Sequence, residues 1–405
     1  IVSLSRIVGS IDYDFDILYK VKEIGEAFTF KDRLVEPCKS NAKIKLAYLT
    51  YGLADAGSVF AKFIHLFAKY HNQEEFEIVF FIPEREEQIY SKDHSLGVVK
   101  KIEEFGCRVV CAPNENNRFQ RWLDTGKNIT EYNPDLFITF AALARFEYYF
   151  IASVLPEKIK KVALVYGPPA QFVPPSFDAA IGRSKHPLFD TPIDIHATAP
   201  VFMDDAVKNN ICCRANLAVP DNAIVLMSAG RYTKFKEVLF WEIVEDILNM
   251  HTDAYFVCIG ASKKDINMDF DERVSDRIVF LGWRADVDCI LPCADIYINT
   301  FPNGGGYTVR EAVANKIPIV SFRNNYFKKF DQNIWNPIDE IVNVEDVLLE
   351  LNDKTSFISV LSKLISDKNY REEIAVRCYL DAQSHIISPK KTIYEYEQTL
   401  KTVAK

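Results

Sequence analysis

The stretch Asp295-Ile-Tyr-Ile-Asn-Thr-Phe-Pro-Asn-Gly-Gly-Gly-Tyr-Thr-Val-Arg-Glu311 decides how this chain is read. It opens as a buried strand of β-branched and aromatic residues, runs into Asn303 and three consecutive glycines, and continues from Tyr307 as a helix. A strand that turns through glycines into a helix is the joint of a parallel sheet, where ligands sit outside the carboxyl ends of the strands. Gly304, Gly305 and Gly306 let the backbone approach a ligand closely, and the helix start at Tyr307 and Thr308 favours an anion. Thr308 adds a hydroxyl in the first turn. Glu311, a turn further on, either faces the hydroxyls of a ligand or is a solvated helix residue. The triplet is not G-x-G-x-x-G and no Walker lysine follows it, which disfavours nicotinamide and P-loop chemistry.

Working outward, the same alternation of strand and helix recurs on both sides. Strands are expected at Ala223–Ser228, Tyr255–Ile259, Ile278–Leu281, Ile296–Asn299 and Ile317–Phe322, with helices at Lys236–Met250, Ala285–Pro292 and Tyr307–Asn315. An earlier series runs from Ile44–Thr50 through Phe76–Ile82, Arg108–Ala112, Leu136–Phe140 and Val162–Tyr166 to Asp178–Ile181. Residues 183–221 hold Pro187, Pro192, Pro200 and Pro220 and read as an irregular connector. From Val342 the pattern is helical throughout. The expected architecture is α/β, with two doubly wound Rossmann-like domains in series facing a cleft. The divisions are a helical arm or linker at 1–41, a first domain at 42–200, a second at 201–385, and a final helix at 386–405 packing back on the first.

Of 405 residues, 48 % are hydrophobic and 26 % charged, which suits a folded globular chain. Forty-eight Lys and Arg against 56 Asp and Glu give a net charge of −8, the opposite of the basic footprint that nucleic-acid binding needs. No apolar run approaches the roughly 20 residues of a membrane span. The nine cysteines read as reduced thiols of a cytoplasmic protein, and their spacing meets no zinc pattern, so no metal is expected. The chain begins at Ile1 without Met, and further domains upstream are expected.

Three other segments carry candidate chemistry. Ser228-Ala-Gly-Arg-Tyr-Thr-Lys-Phe-Lys236 puts Arg231, Lys234 and Lys236 at the same sheet edge as the glycines, with charges suited to a diphosphate. Thr50-Tyr-Gly-Leu-Ala-Asp-Ala-Gly-Ser58 follows the first strand, and its Asp55 reads either as a general base or as a helix N-cap. Ser184-Lys-His186-Pro lies near the domain junction, so His186 is a cleft or surface residue. Trp283 reads as a stacking platform or as core, and His65 as structural.

Gly230-Arg231 with Lys236 five positions after the arginine, then Phe280-Leu-Gly-Trp283, Cys293-Ala-Asp295 and the glycine-rich Glu311 helix resemble the second domain of GT-B glycosyltransferases. The loop Asn303-Gly-Gly-Gly-Tyr-Thr looks most like the O-linked N-acetylglucosamine transferase-like group, and the Arg231/Lys236 spacing most like the large family of glycogen and sucrose synthases. The resemblance implies a nucleotide-sugar donor as substrate, UDP by default, with no separate cofactor and no required metal. Arg231 and Lys236 would hold its diphosphate and Glu311 its ribose. The backbone from Gly305 to Thr308 would meet phosphates or sugar, while Gly282, Trp283 and Arg284 flank the base. The acceptor would be a glycan or polypeptide.

The chain departs from these families at two points. Asn303 stands where the retaining pattern has a carboxylate, eight positions before Glu311, and the Asp55 loop lacks the histidines of the O-linked group. Inversion of configuration is therefore the expectation, with Asp55, then His186, as base and Lys236 supporting the leaving group. The competing readings are a nucleotide-sugar epimerase and a catalytically silent nucleotide- or glycan-binding module of a larger protein.

Overall fold

The structure, a computed structural model, describes residues 15–28, 43–50, 59–91, 93–139, 146–165, 177–182, 196–198, 214–266, 268–284, 286–323, 336–385 and 389–405. The chain divides into two compact units, one of Ile1–Val201 with Pro389–Lys405 and one of Phe202–Ser388.

In the first unit, strands β1 (Ile44–Leu49), β2 (Phe76–Arg85), β3 (Arg108–Ala112), β4 (Leu136–Thr139), β5 (Lys160–Val165), β6 (Ala179–Gly182) and β7 (His196–Thr198) form a parallel sheet ordered 3-2-1-4-5-6-7. Their sequences are near-continuous apolar runs, because helices cover both faces of such a sheet. In β2 every residue from Ile78 to Pro83 is buried. The helices include α1 (Phe15–Glu26), α2 (Val59–Tyr70), α3 (Asp93–Glu104), α4 (Arg118–Tyr132) and α5 (Phe146–Val154). Asn117 caps α4 by accepting from the N–H groups of Phe119 and Gln120 at 3.0 and 3.3 Å. The core gathers around Leu49, Val79, Phe81, Phe137 and Ile151. Helix α1, within the arm at 1–41, packs on α5, and a Cβ on Gly25 would stand 1.7 Å from Ser153 Oγ. Only glycine permits that approach.

In the second unit, β8 (Ile224–Ala229), β9 (Ala254–Ile259), β10 (Ile278–Gly282), β11 (Ile296–Ile298), β12 (Ile319–Phe322) and β13 (Leu348–Leu349) form a parallel sheet ordered 10-9-8-11-12-13. Helices α6 (Val238–Met250), α7 (Tyr307–Ala314), α8 (Lys354–Ser366) and α9 (Lys368–His385) follow the same chain order. The final helix, α10 (Pro389–Val403), belongs to the first unit and packs on α2.

Four details correct the sequence reading. β7 lies inside the stretch read as an irregular connector, and β13 inside the tail read as wholly helical. Strands of three and two residues are too short to print a periodicity. The helix expected at Ala285–Pro292 is only Val287–Ile290 before a 3₁₀ turn at Leu291–Cys293, since Pro292 has no N–H with which to continue the ladder. Cys107, Cys111, Cys258, Cys289 and Cys378 are free thiols, and burial pushes Cys107 and Cys378 up to about 11. Cys293, by contrast, is disulfide-bonded, a pairing that spacing alone does not reveal. Among the described residues no helix is long and apolar enough to cross a membrane.

Candidate functional site

The strand order of the second unit reverses at β8, whose neighbours are β9 on one side and β11 on the other. In doubly wound sheets such a switch point opens a crevice at the carboxyl ends of the strands. The loops after β8 and β11 meet there through one side chain. Lys234 folds its stem over Gly230, where a Cβ would stand 3.1 Å from Lys234 Cδ, and its ammonium donates to the carbonyl oxygen of Gly304. Burial, together with the nearby Arg231 guanidinium, lowers the Lys234 ammonium from 10.5 to about 8.

The sequence folds this way because Phe235 is fully buried. Residues Tyr232–Phe235 form a 3₁₀ turn, and Phe235 packs against Phe240 and Trp241 while its carbonyl accepts from the Trp241 indole at 2.8 Å. This anchor sends the two flanking lysines to different surroundings. Lys234 turns toward the glycine loop; Lys236 stays exposed, its ammonium 5.6 Å from the centre of the Tyr232 ring. Arg231 is exposed at the start of the turn. Lys234, rather than Lys236, is thus the lysine in contact with the glycines.

The glycine loop is held from beneath. Asn299 Nδ2 donates to Ser321 Oγ and to Asn336 Oδ1, both at 3.0 Å, and Asn299 Oδ1 accepts the N–H of Gly305 at 2.7 Å. A Cβ on Gly304 would stand 2.0 Å from Asn336 Oδ1, so this position accepts no side chain. Thr300 Oγ1 donates to the Asn303 carbonyl at 2.8 Å. Two expected ligand contacts are therefore already spent inside the protein. The Gly305 N–H serves Asn299, and the Thr308 hydroxyl lies 3.3 Å from Ala229 O and 3.0 Å from the buried Tyr297 hydroxyl. Gly306 and Thr308 still present backbone N–H groups at the start of α7, where a helix has no acceptor of its own for them. Tyr307 and Glu311 are half-buried on that helix, and the Glu311 carboxylate is close enough to add to the upward push on the Tyr297 phenol, which burial chiefly raises to about 12.

On the other side of β8 the strand ends are joined by Gly230, Gly282 and Gly260, the last of which sequence reasoning passed over. The Gly230 N–H donates to Ile259 O at 3.0 Å, and the Gly260 N–H to Gly282 O at 2.6 Å. Gly260 has φ +98°, and a Cβ there would stand 1.9 Å from Gly230 O. Beyond this ladder Trp283 is 61 % exposed, which excludes the core reading, and Arg284 binds Asp286 through two contacts of 2.8 and 2.6 Å. Asp295 serves the fold: it accepts from Val225 N–H and pairs with Arg214, both at 2.8 Å. In the first unit His65 is half-buried on α2 with its ring 5.4 Å from that of Phe105. Asp55 and His186 lie outside the described residues.

Residues 223–367 match the family model described as "Glycosyl transferases group 1". An Escherichia coli UDP-Gal:alpha-D-GlcNAc-diphosphoundecaprenol alpha-1,3-galactosyltransferase is 25 % identical over 186 residues, and that alignment takes in 44 % of this chain and 44 % of the relative. The chain thus spans less than half of that relative's length. Among solved structures, a glycosyltransferase from Rickettsia africae superposes with a TM-score of 0.63 at 16 % identity, covering 90 % of this chain and 99 % of that one. Anabaena Alr3699/HepE, solved with UDP and glucose, gives 0.62 at 13 % identity, covering 88 % and 99 %. Built on the two-domain α/β fold of the GT-B glycosyltransferases, the chain carries in residues 223–367 a region matching their group 1 family.

Proposed function

We propose that this chain is a glycosyltransferase that moves a sugar from a nucleotide diphosphate donor, a UDP-sugar, to a glycan or polypeptide acceptor, and that the second unit holds the donor. The observation that carries this reading is the partly desolvated Lys234 ammonium lying on the glycine loop at the switch point of the sheet. A cation kept there at a cost in solvation is matched to an anionic ligand. The UDP-Gal donor in the E. coli relative's name and the UDP in the HepE complex support uridine diphosphate as that anion.

In the proposed reaction the bond from the anomeric carbon to the diphosphate breaks, and negative charge gathers on the departing phosphate. Lys234 and Arg231 stabilise it directly, Lys236 supplies a further charge from the surface, and the N–H groups at the start of α7 add their dipoles. Glu311 takes the ribose hydroxyls, Trp283 and Arg284 flank the base, and the amide of Asn303 bonds a sugar hydroxyl. Asp55 and His186 remain the acceptor-side candidates.

Titration calorimetry of the purified chain with UDP, ADP and GDP, followed by hydrolysis assays over a panel of UDP-sugars, tests this reading. UDP binding that depends on Lys234, with slow turnover of one donor, is the expected result. Absence of binding to any nucleoside diphosphate would refute it, and binding without turnover of any donor would identify a silent module.

A further inference from the structure

Four polar side chains, Tyr48, His71 and the adjacent pair Tyr396 and Glu397 from the far end of the chain, meet in the apolar interior of the first unit. His71, directly after α2, is 4 % exposed and Glu397, on α10, is 3 % exposed. His71 Nδ1 lies 2.8 Å from Glu397 Oε1, and His71 Nε2 lies 2.8 Å from the hydroxyl of Tyr48 on β1. The Tyr48 and Tyr396 hydroxyls are 3.1 Å apart, and Glu397 Oε1 also accepts the Asn72 N–H at 2.7 Å. The rings of Phe67, Phe76 and Tyr396 close around the imidazole with centroids at 5.6, 5.8 and 5.9 Å.

The proton order of this chain of contacts suits a neutral imidazole. Nδ1–H donates to the carboxylate, and the Tyr48 hydroxyl can give its one proton either to Nε2 or to the Tyr396 oxygen; a neutral ring takes it at Nε2. A second proton on the imidazole makes Nε2 a donor and turns the Tyr48 hydroxyl toward Tyr396. The added charge then sits in a site closed off from water, where its desolvation is costly. Burial lowers the His71 pKa from 6.5 and outweighs the opposing pull of Glu397. Among the described residues the charge facing the imidazole is Glu397 from α10; nearby, Glu75 from the turn before β2 pairs with Lys401 of α10 at 2.8 Å.

We propose that Tyr396, Tyr48, His71 and Glu397 form an acid-sensitive latch that holds α10 on the first unit and releases it when the imidazole takes up a proton. The undocked histidine has the higher proton affinity. Docking is therefore at full strength above about pH 6.5 and weakens as the pH falls below it, until the docked imidazole itself titrates. The latch lies wholly in the first unit and stands whether or not the donor assignment holds.

Hydrogen exchange of the full chain at pH 7.5 and 5.5, corrected for intrinsic rates, tests it. Exchange across residues 389–405 is expected to accelerate by up to about tenfold for each pH unit below the ordinary histidine value, while α6 in the second unit keeps its protection. In His71→Gln the side-chain amide can still donate to Glu397 but takes up no proton, so the acceleration should vanish. Unchanged protection of α10 at pH 5.5, or an equal loss in His71→Gln, would overturn the latch. If that variant does not fold, nitrogen-15 NMR of the wild-type imidazole decides: a neutral ring protonated at Nδ1 at pH 7 supports the latch, and a charged ring refutes it.

Discussion

Replacing Lys234 by Met separates the cost of a buried cation from its use. Methionine keeps an unbranched stem over Gly230 and removes the ammonium from the Gly304 carbonyl. In the free protein the ammonium is lowered from 10.5 to about 8, and this difference of 10.5 − 8 = 2.5 units amounts to roughly 3 kcal/mol of stability at neutral pH. The sign follows from proton counting. Between about pH 8 and 10.5 the unfolded chain binds more protons than the folded one, so stability rises with pH across that window and the full penalty stands below it. Lys234→Met removes the penalty, and the free variant should be at least as stable as the wild type at pH 7, by up to about 3 kcal/mol.

Donor binding should move the other way. A diphosphate beside Lys234 and Arg231 restores the ammonium toward its ordinary value, so binding takes up a proton above about pH 8. Wild-type affinity for UDP should be flat below pH 8 and then fall about tenfold per unit, by at most roughly 300-fold if the full shift is recovered. In Lys234→Met that limb disappears. At neutral pH, kcat/KM should drop by a factor on the order of 30 to 1,000, corresponding to about 2–4 kcal/mol of lost stabilisation of the leaving group. Calorimetry with UDP from pH 7 to 9.5, beside thermal melts of the unliganded proteins, reads both effects. A variant that matches the wild type in UDP affinity at every pH would refute the reasoning.

Three further outcomes are expected. Gly260→Ala places a Cβ 1.9 Å from the Gly230 carbonyl at a positive φ and should destabilise the second unit by on the order of 2–4 kcal/mol, read as a fall in its melting temperature. Asn299→Ala frees the Gly305 N–H and cuts the link to Ser321 and Asn336; it should cost about 2–4 kcal/mol of stability in chemical denaturation and weaken UDP binding as the loop loosens. Trp283→Ala should leave stability within about 0.5 kcal/mol, because the ring is already 61 % exposed, yet weaken binding of UDP more than that of inorganic pyrophosphate if the indole stacks on the base.

The architecture was legible because strands of a parallel sheet covered on both faces are written as uninterrupted apolar runs. The joint after β11 was legible because three glycines in succession have few other uses. The site's inner wiring was not. In Thr-Lys-Phe-Lys the two lysines are equivalent by composition, and only the burial of Phe235 in its 3₁₀ turn decides which one reaches the glycine loop. Gly260 looks like any residue ending a strand until the register sets it against Gly230. Asn299 and Asn336 stand 37 positions apart, and His71 and Glu397 326 apart, and no local pattern announces either partnership. The stereochemical expectation rests partly on Asp55 and His186, which lie outside the described residues.

The division of labour in the glycine loop explains why three glycines occur where one would suffice for a turn. Gly304 is glycine because Asn336 occupies the space of its side chain, and Gly305 because Thr308 Oγ1 and Asn299 crowd its Cβ position at 2.8 and 3.3 Å. Their confinement fixes the path of the backbone into α7, so that the positions of Gly306 and the first turn of the helix are set by the protein's own packing. Lys234 completes the arrangement from the loop after β8, where its ammonium donates to the Gly304 carbonyl. Dipoles and charges already in position need little reorganisation when negative charge develops on a leaving diphosphate, and such preorganisation is where transition-state stabilisation is gained. The asparagines beneath the loop, which touch no proposed ligand atom, should therefore affect turnover through geometry, while Lys234 affects it through charge.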